Sequence, residues 1–195
     1  MVLPILSYGH SLLRTVCDPL EAGMVPMGLI EDMWDTLYGA AGCGLAAPQI
    51  GKSWQLFLVD SKIVYDQMNP ESRVVYFEDN IGVKAVFVNA VITAVSERRW
   101  ISDEACLSIP GLQYSAERPW SITVEYRDEY FQPHKRTFSG ITARMILHEY
   151  EHTKGILFVD HLPERKQRRI AGKLDKISRG RVKVSYPMSF VDGKK

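Results

Sequence analysis

Residues 147–155 read LHEYEHTKG. Written on a helix, His148 and His152 stand at i and i+4, so both imidazoles leave one face about one turn apart and can converge on one metal ion. Glu149, beside the first histidine, can reach a water on such an ion without being a ligand, which is where a general base must stand. The chain has five histidines, and two of them fall in this short stretch. Two ordinary surface histidines on an acidic helix would leave that clustering unexplained.

A catalytic ion of this kind takes three protein ligands and a water, so one ligand must come from elsewhere. Downstream, His161 is the only histidine, with Asp160 and Glu164 the nearest carboxylates. Upstream, Cys106 sits in DEACLSIPG, residues 103–111, where Ser108, Pro110 and Gly111 mark a tight backbone. A thiolate is an excellent ligand, whereas a lone cysteine is more often buried filler. The residues by themselves leave these suppliers open. A further segment, GCGLAAPQIG at residues 42–51, permits close approach of a backbone or ligand, with Pro48 stiffening the chain before Gln49. It has neither a Lys in Walker spacing nor GxGxxG, so it is not a phosphate cradle.

Outward from the motif, the helix is expected over about Thr142–Lys154, with Gly155 as its stop. Val25–Tyr38 carries Leu29, Ile30, Met33, Trp34, Leu37 and Tyr38 at helical spacing, with Pro26 in the first turn and Gly39 and Gly42 ending it. Pro163–Ser178 sets Ile170, Leu174 and Ile177 on one face, with Gly180 beyond. Strands are expected at Gln55–Asp60, Arg73–Phe77, Lys84–Val95 and Ser121–Arg127. The last alternates Ile122, Val124 and Tyr126, turns near Asp128–Glu129 and returns through Phe138; a short final strand is expected at Arg181–Tyr186. The fold class is α+β, with antiparallel or mixed β-sheets packed around a central HExxH helix, an N-terminal helix and a basic C-terminal helix. No repeat or linker divides the chain, so residues 1–195 are expected to form a single domain.

Composition bounds the function. Hydrophobic residues at 46% and charged residues at 24% exclude intrinsic disorder, and a net charge of +1 gives no global pull toward nucleic acid or membrane. No apolar run approaches the roughly 18 residues of a transmembrane helix, and MVLPILSYGH lacks the early Lys or Arg of a secretory signal. Cys17, Cys43 and Cys106 are odd in number and far apart, which predicts no disulfide framework and a cytoplasmic protein. Charge is nevertheless segregated: residues 163–195 hold eleven Lys/Arg against three Asp/Glu, a charge of +8, leaving −7 for residues 1–162. Arg165, Lys166, Arg168, Arg169, Lys173 and Lys176 populate the outer faces of the last helix, and Arg179, Arg181 and Lys183 continue the positive run.

Taken together, the three segments resemble the peptide deformylase family. Its motifs GxGLAAPQ, EGCLS and HExDH occur in that order as Gly42–Gln49, Glu104–Ser108 and His148–His152, and with matching spacing and length they cover nearly the whole chain. Ala105 stands where the family usually has Gly, Glu151 where it has Asp, Leu147 for a common Gln and Thr153 for a common Leu. None of these removes a ligand or the base. The resemblance implies hydrolysis of the formyl group from N-formyl-methionyl nascent peptides, releasing formate. It implies one divalent metal ion held by Cys106, His148 and His152, Fe²⁺ in the first place, with Zn²⁺, Ni²⁺ or Co²⁺ able to occupy the site. Glu149 would be the general base, while the Gln49 side-chain amide and the Leu107 backbone N–H would hold the tetrahedral oxyanion. Gly44 and Ala105 would lend backbone to an extended substrate, and Cys43, Ile141 and Met145 would shape an apolar pocket for the methionine side chain. Because such a substrate emerges from a ribosome, the basic C-terminal helix is expected to dock near the exit tunnel through counterion release, with no sequence-specific nucleic acid contact and no membrane. Two other readings use parts of the same pattern. An HExxH metallopeptidase of another family would cut internal bonds and would not need Cys106 or GLAAPQ; a non-catalytic ribosome-associated protein would rest on the basic tail alone.

Overall fold

Alternating and continuous apolar runs set the sheet, and helical spacing sets the layers on it. The computed structural model describes residues 1–78 and 80–191. In chain order it contains β1 (Ile5–Leu6), α1 (Met27–Gly39), β2 (Gly44–Ala46), β3 (Leu56–Asp60), α2 (Ser61–Gln67), α3 (Pro70–Phe77) and β4 (Lys84–Val95). There follow β5 (Arg99–Cys106), β6 (Ile109–Pro119), β7 (Ser121–Arg127), β8 (Pro133–Ser139), α4 (Gly140–His152), α5 (Glu164–Ser178) and β9 (Met188–Ser189).

Five strands form one antiparallel sheet in the order β2-β3-β4-β7-β8. The pair β5-β6 is a separate antiparallel hairpin, and β1 pairs in parallel with β9. Every residue of β3 is buried, because both faces of the sheet are covered, which is why LFLVD is an unbroken apolar run apart from its last residue. On one face Leu56, Leu58, Val86 and Val88 meet Ile30, Met33 and Leu37 of α1. On the other, Phe57, Val59, Phe87, Ile122, Val124 and Phe138 meet Ala143, Ile146 and Leu147 of α4. A third cluster joins Ile170, Leu174 and Ile177 of α5 to Cys106, Ile109, Leu112 and Phe158.

The helix that carries the histidines is therefore covered on two sides, with Ile141, Met145, Tyr150 and Glu151 half-buried between them. Its apolar residues take the sheet, and a second stripe, Arg144, His148 and His152 at i, i+4 and i+8, is buried as well. That stripe faces the β5-β6 hairpin, where Arg144 donates to the carbonyls of Trp100, Ser102 and Ala116.

Three expectations are corrected. Arg73–Phe77 lies in α3, not in a strand: the Asn69 side chain accepts from the Ser72 N–H at 2.8 Å and Pro70 opens the helix, so the start signal overrides the β-branched pair Val74 and Val75. Arg181–Tyr186 joins no ladder; the final strand is the later, shorter β9. Pro26 stands at the N-cap of α1 rather than inside its first turn, and Pro163 at the N-cap of α5, one residue before the helix it was expected to open. The β5-β6 hairpin is an element that sequence patterning had not anticipated. Of the basic tail, residues 192–195 lie outside the described residues, as does Asp79. Among the described residues no helix is long and apolar enough to cross a membrane.

The chain turns from β8 into α4 at Gly140, whose φ is +58°. A Cβ there would strike the carbonyl oxygen of Tyr76, and the Gly140 N–H is already fixed to the Trp120 carbonyl at 2.8 Å. Gly140→Ala should therefore cost about 2 kcal/mol or more, since an L-residue in this region alone costs roughly 1–2 kcal/mol. Urea denaturation checks it; an unchanged midpoint would show that α4 is not fixed at this glycine.

Candidate active site

Strand alternation on β5 turns Glu104 and Cys106 inward and leaves Ala105 exposed between them. Cys106 pairs with Ile109 across a two-residue tip, Leu107–Ser108, and its side chain points at α4. There Cys106 Sγ lies 3.2 Å from His152 Nε2, and one ligand atom each from Cys106, His148 and His152 lie within 4.8 Å of one another, all three residues buried. Ligands of one tetrahedral ion stand about 3.5 Å apart, so the spacing fits a single divalent cation. A thiolate with two imidazoles suits Zn²⁺, Fe²⁺, Ni²⁺ or Co²⁺ alike. The other suppliers left open by sequence are engaged elsewhere. His161 Nε2 lies 2.9 Å from Glu151 Oε2, Asp160 is gripped by Arg14, and Glu164 pairs with Arg168.

Behind the ligands sits Glu104. Arg118 donates to it through Nε at 2.8 Å and Nη2 at 2.9 Å, Arg144 donates through Nη1 at 2.6 Å, and His148 Nδ1 lies 3.2 Å from its Oε2. Burial opposes the charge, but hydrogen bonds from Arg118 and His148 outweigh it and hold the carboxyl well below its usual range. An ionised Glu104 accepts from His148 Nδ1–H, which leaves Nε2 as the ligand atom. Glu151, the longer residue in place of Asp, accepts from Arg118 Nη1 while also meeting His161.

On the open side is a cavity of about 410 Å³, bordered by Gly44, Gln49, Ala105, Leu107, His148 and Glu149. Glu149 Oε2 is buried there without a hydrogen-bond partner. Burial pushes this carboxyl up to about 7, against the opposing charge of His148 and with a further push from Glu104. A Cβ on Gly44 would collide with the Glu149 carboxylate, so β2 and the candidate base can only touch through glycine. Gln49 is oriented by the Ala46 N–H, which donates to its Oε1 at 2.8 Å; its Nε2 then faces Ser108 Oγ at 3.2 Å and Cys106 Sγ at 3.6 Å. Cys43 also borders the cavity, but burial pushes its thiol up to about 11, and it is not part of the ligand cluster. Ile141 and Met145 are half-buried and do not border the cavity; Met145 packs against the sheet.

Sequence reasoning overlooked the two buried arginines. Arg144 was detectable, since it precedes His148 and His152 at the same helical interval; Arg118, on an unanticipated strand, was not.

Similarity to known proteins agrees with this geometry. The family model described as polypeptide deformylase matches residues 2–168. A peptide deformylase of Christiangramia forsetii is 39% identical over 197 aligned positions, covering 100% of this chain and 99% of that protein. The solved peptide deformylase of Thermus thermophilus superposes with a TM-score of 0.77 at 34% identity, covering 91% of this chain and 98% of that one. A Met-Ala-Ser-bound class I type b peptide deformylase of Acinetobacter baumannii superposes with a TM-score of 0.72 at 29% identity, covering 83% and 99%. The chain belongs to the peptide deformylase family, an enzyme family that acts on formylated nascent peptides.

The ligand assignment makes the three cysteines unequal. Cys106→Ala should lose most bound metal and activity, since two imidazoles and water remain, whereas Cys17→Ala and Cys43→Ala should keep their metal. Metal content of the three purified variants decides it; equal retention would remove Cys106 from the site.

Proposed function

We propose that this chain hydrolyses the formyl group of N-formyl-methionyl peptides with Glu149 as the proton carrier. Cys106, His148 and His152 would hold one divalent ion, physiologically Fe²⁺, with Zn²⁺, Ni²⁺ or Co²⁺ as substitutes. One observation carries the reading: a buried carboxylate oxygen without a partner borders the same cavity as a three-ligand cluster. When bound, the ion supplies Lewis acidity, polarising the formyl carbonyl and acidifying water.

The chain's own residues then handle the proton and the charge. Glu149, poised near neutrality by burial, takes a proton from water as the C–O bond forms at the formyl carbon. It returns that proton to nitrogen as the C–N bond breaks, leaving formate and a free N-terminal methionine. Negative charge on the former carbonyl oxygen is received by Gln49 Nε2 and the Leu107 N–H. The Ala46 N–H holds the other end of that amide, at Oε1, so the donor is already aimed at the site. Gly44 and Ala105 would meet the peptide backbone as neighbouring strands do. The Met-Ala-Ser ligand of the Acinetobacter relative supports a site for a peptide beginning with methionine. Of the three residues expected around the methionine side chain, Cys43 alone borders the cavity and would meet it.

Removal of the base separates chemistry from binding. Glu149→Ala should retain its metal and lose at least about 100-fold in formate release, the lower end for general base catalysis. A metal-loaded variant within a few-fold of the parent would end this assignment.

A cytoplasmic location is part of the proposal, supported by three free cysteines. So is docking on the ribosome through α5, where Arg165, Lys166, Arg168, Arg169, Lys173 and Lys176 are all exposed while Ile170, Leu174 and Ile177 are buried. Arg168 is partly neutralised by Glu164, which tempers the face without reversing it. Neutralising Arg165, Lys166, Arg168 and Arg169 together should leave hydrolysis of a short formyl-Met peptide nearly unchanged. Co-sedimentation with ribosomes should fall, and the parent's should weaken as salt rises. Co-sedimentation of the variant that is undiminished and insensitive to salt would return α5 to a plain solvated helix.

A further inference from the structure

After α5 the chain doubles back across the cavity. Lys183, Val184, Ser185 and Tyr186 border it before Pro187 accepts from the Ile5 N–H and β9 joins β1. Nothing in the motif pattern assigns this segment a role, yet it reaches the hairpin tip that follows Cys106. The Tyr186 hydroxyl donates to the Leu107 carbonyl at 2.8 Å.

That tip needs an outside hold. Two-residue hairpin connections ordinarily use primed turns with positive φ, because their twist matches the strands. Neither Leu107 nor Ser108 has a positive φ, and the ladder slips directly beside them, from Ala105 opposite Gln113 to Cys106 opposite Ile109. The tip is instead pinned from three directions: Tyr186 on the Leu107 carbonyl, the Tyr8 N–H on the Ser108 carbonyl at 2.8 Å, and Gln49 Nε2 on Ser108 Oγ at 3.2 Å. Of these, the Tyr186 bond alone acts on Leu107 itself.

We infer that Tyr186 is a positioning residue for the reaction: it holds the peptide plane that follows the Leu107 Cα, which limits how the preceding plane, carrying the Leu107 N–H, can turn relative to the oxyanion. The inference rests on the proposed role of that N–H and extends the site to a segment 79 residues further along the chain. The ring of Tyr186 packs, half-buried, against the α1 side of the core, so removing only the hydroxyl leaves the wall standing.

Tyr186→Phe tests it with formyl-Met-Ala-Ser as substrate. Losing an oxyanion donor outright costs about 100- to 1000-fold in kcat, so misaiming one should cost less, about tenfold, with KM unchanged. Metal content and Tm should stay at parental values, while amide exchange at Leu107 and Ser108 should quicken, because the tip has lost a hold. Unchanged kcat and exchange would overturn the inference. So would a raised KM with kcat intact, which would make Tyr186 a substrate contact, or a loss of kcat that merely tracks lost metal or Tm. Failure of the underlying reading looks different: the parent enzyme itself, metal-loaded, would release no formate.

Discussion

The carboxylate of Glu104 is buried among Arg118, Arg144 and His148, and the site hangs on that cluster. Taking an ion out of water costs several kcal/mol even after relaxation, so such a group persists only when paired and fully hydrogen-bonded. Two guanidiniums against one carboxylate would leave an excess of charge. Glu151 restores the balance by taking the remaining arm of Arg118, so two buried cations face one buried and one partly buried carboxylate. Replacing Glu104 by an uncharged residue would leave Arg144 without a carboxylate and Arg118 with Glu151 alone, a loss that breaking a buried pair puts at about 3–5 kcal/mol.

The same cluster sets the geometry of the metal ligands. Cys106 follows Glu104 by two residues on a strand and so emerges on the same side. His148 follows Arg144 by four on a helix and so emerges on the same stripe. Docking Glu104 onto Arg144 therefore brings the thiol and the imidazoles together before any metal arrives. A bound ion would add its own crosslink between β5 and α4, so metal affinity and folding stability are coupled here. The third ligand comes from the facing hairpin, which leaves His161 to serve the Glu151 end of the charge cluster.

Much of the fold was legible because its signals are local. The β4 and β7 strands and the apolar faces of α1 and α5 follow from period and flanking residues, and the motif order pointed to Cys106, His148 and His152. The β5-β6 hairpin was not legible for a physical reason: the inward residues of β5 are Glu104 and Cys106, so the strand shows no apolar alternation. Arg118 and Arg144 resembled solvated charges because their partner, Glu104, lies 14 and 40 residues away. The contact of Tyr186 with Leu107 has no local signature at all; it depends on α5 returning the chain across the cavity. Arg73–Phe77 failed in the opposite sense, since a local helix start at Asn69–Pro70 outweighed a local strand propensity.

Two small residues at the rim show how a departure from the family pattern can be harmless or fatal. At Gly44 a methyl would enter the space of the Glu149 carboxylate and displace the candidate base from where it stands. At position 105 the chain carries a methyl where the motif it resembles usually has glycine, yet alternation points it away from Cys106 and toward the open cavity. Its consequence therefore falls on the peptide that passes the rim and not on the ligands behind the strand. Metal retention should be blind to residue 105, whereas the fit of a substrate backbone need not be. What one added carbon does depends on which side of the strand receives it.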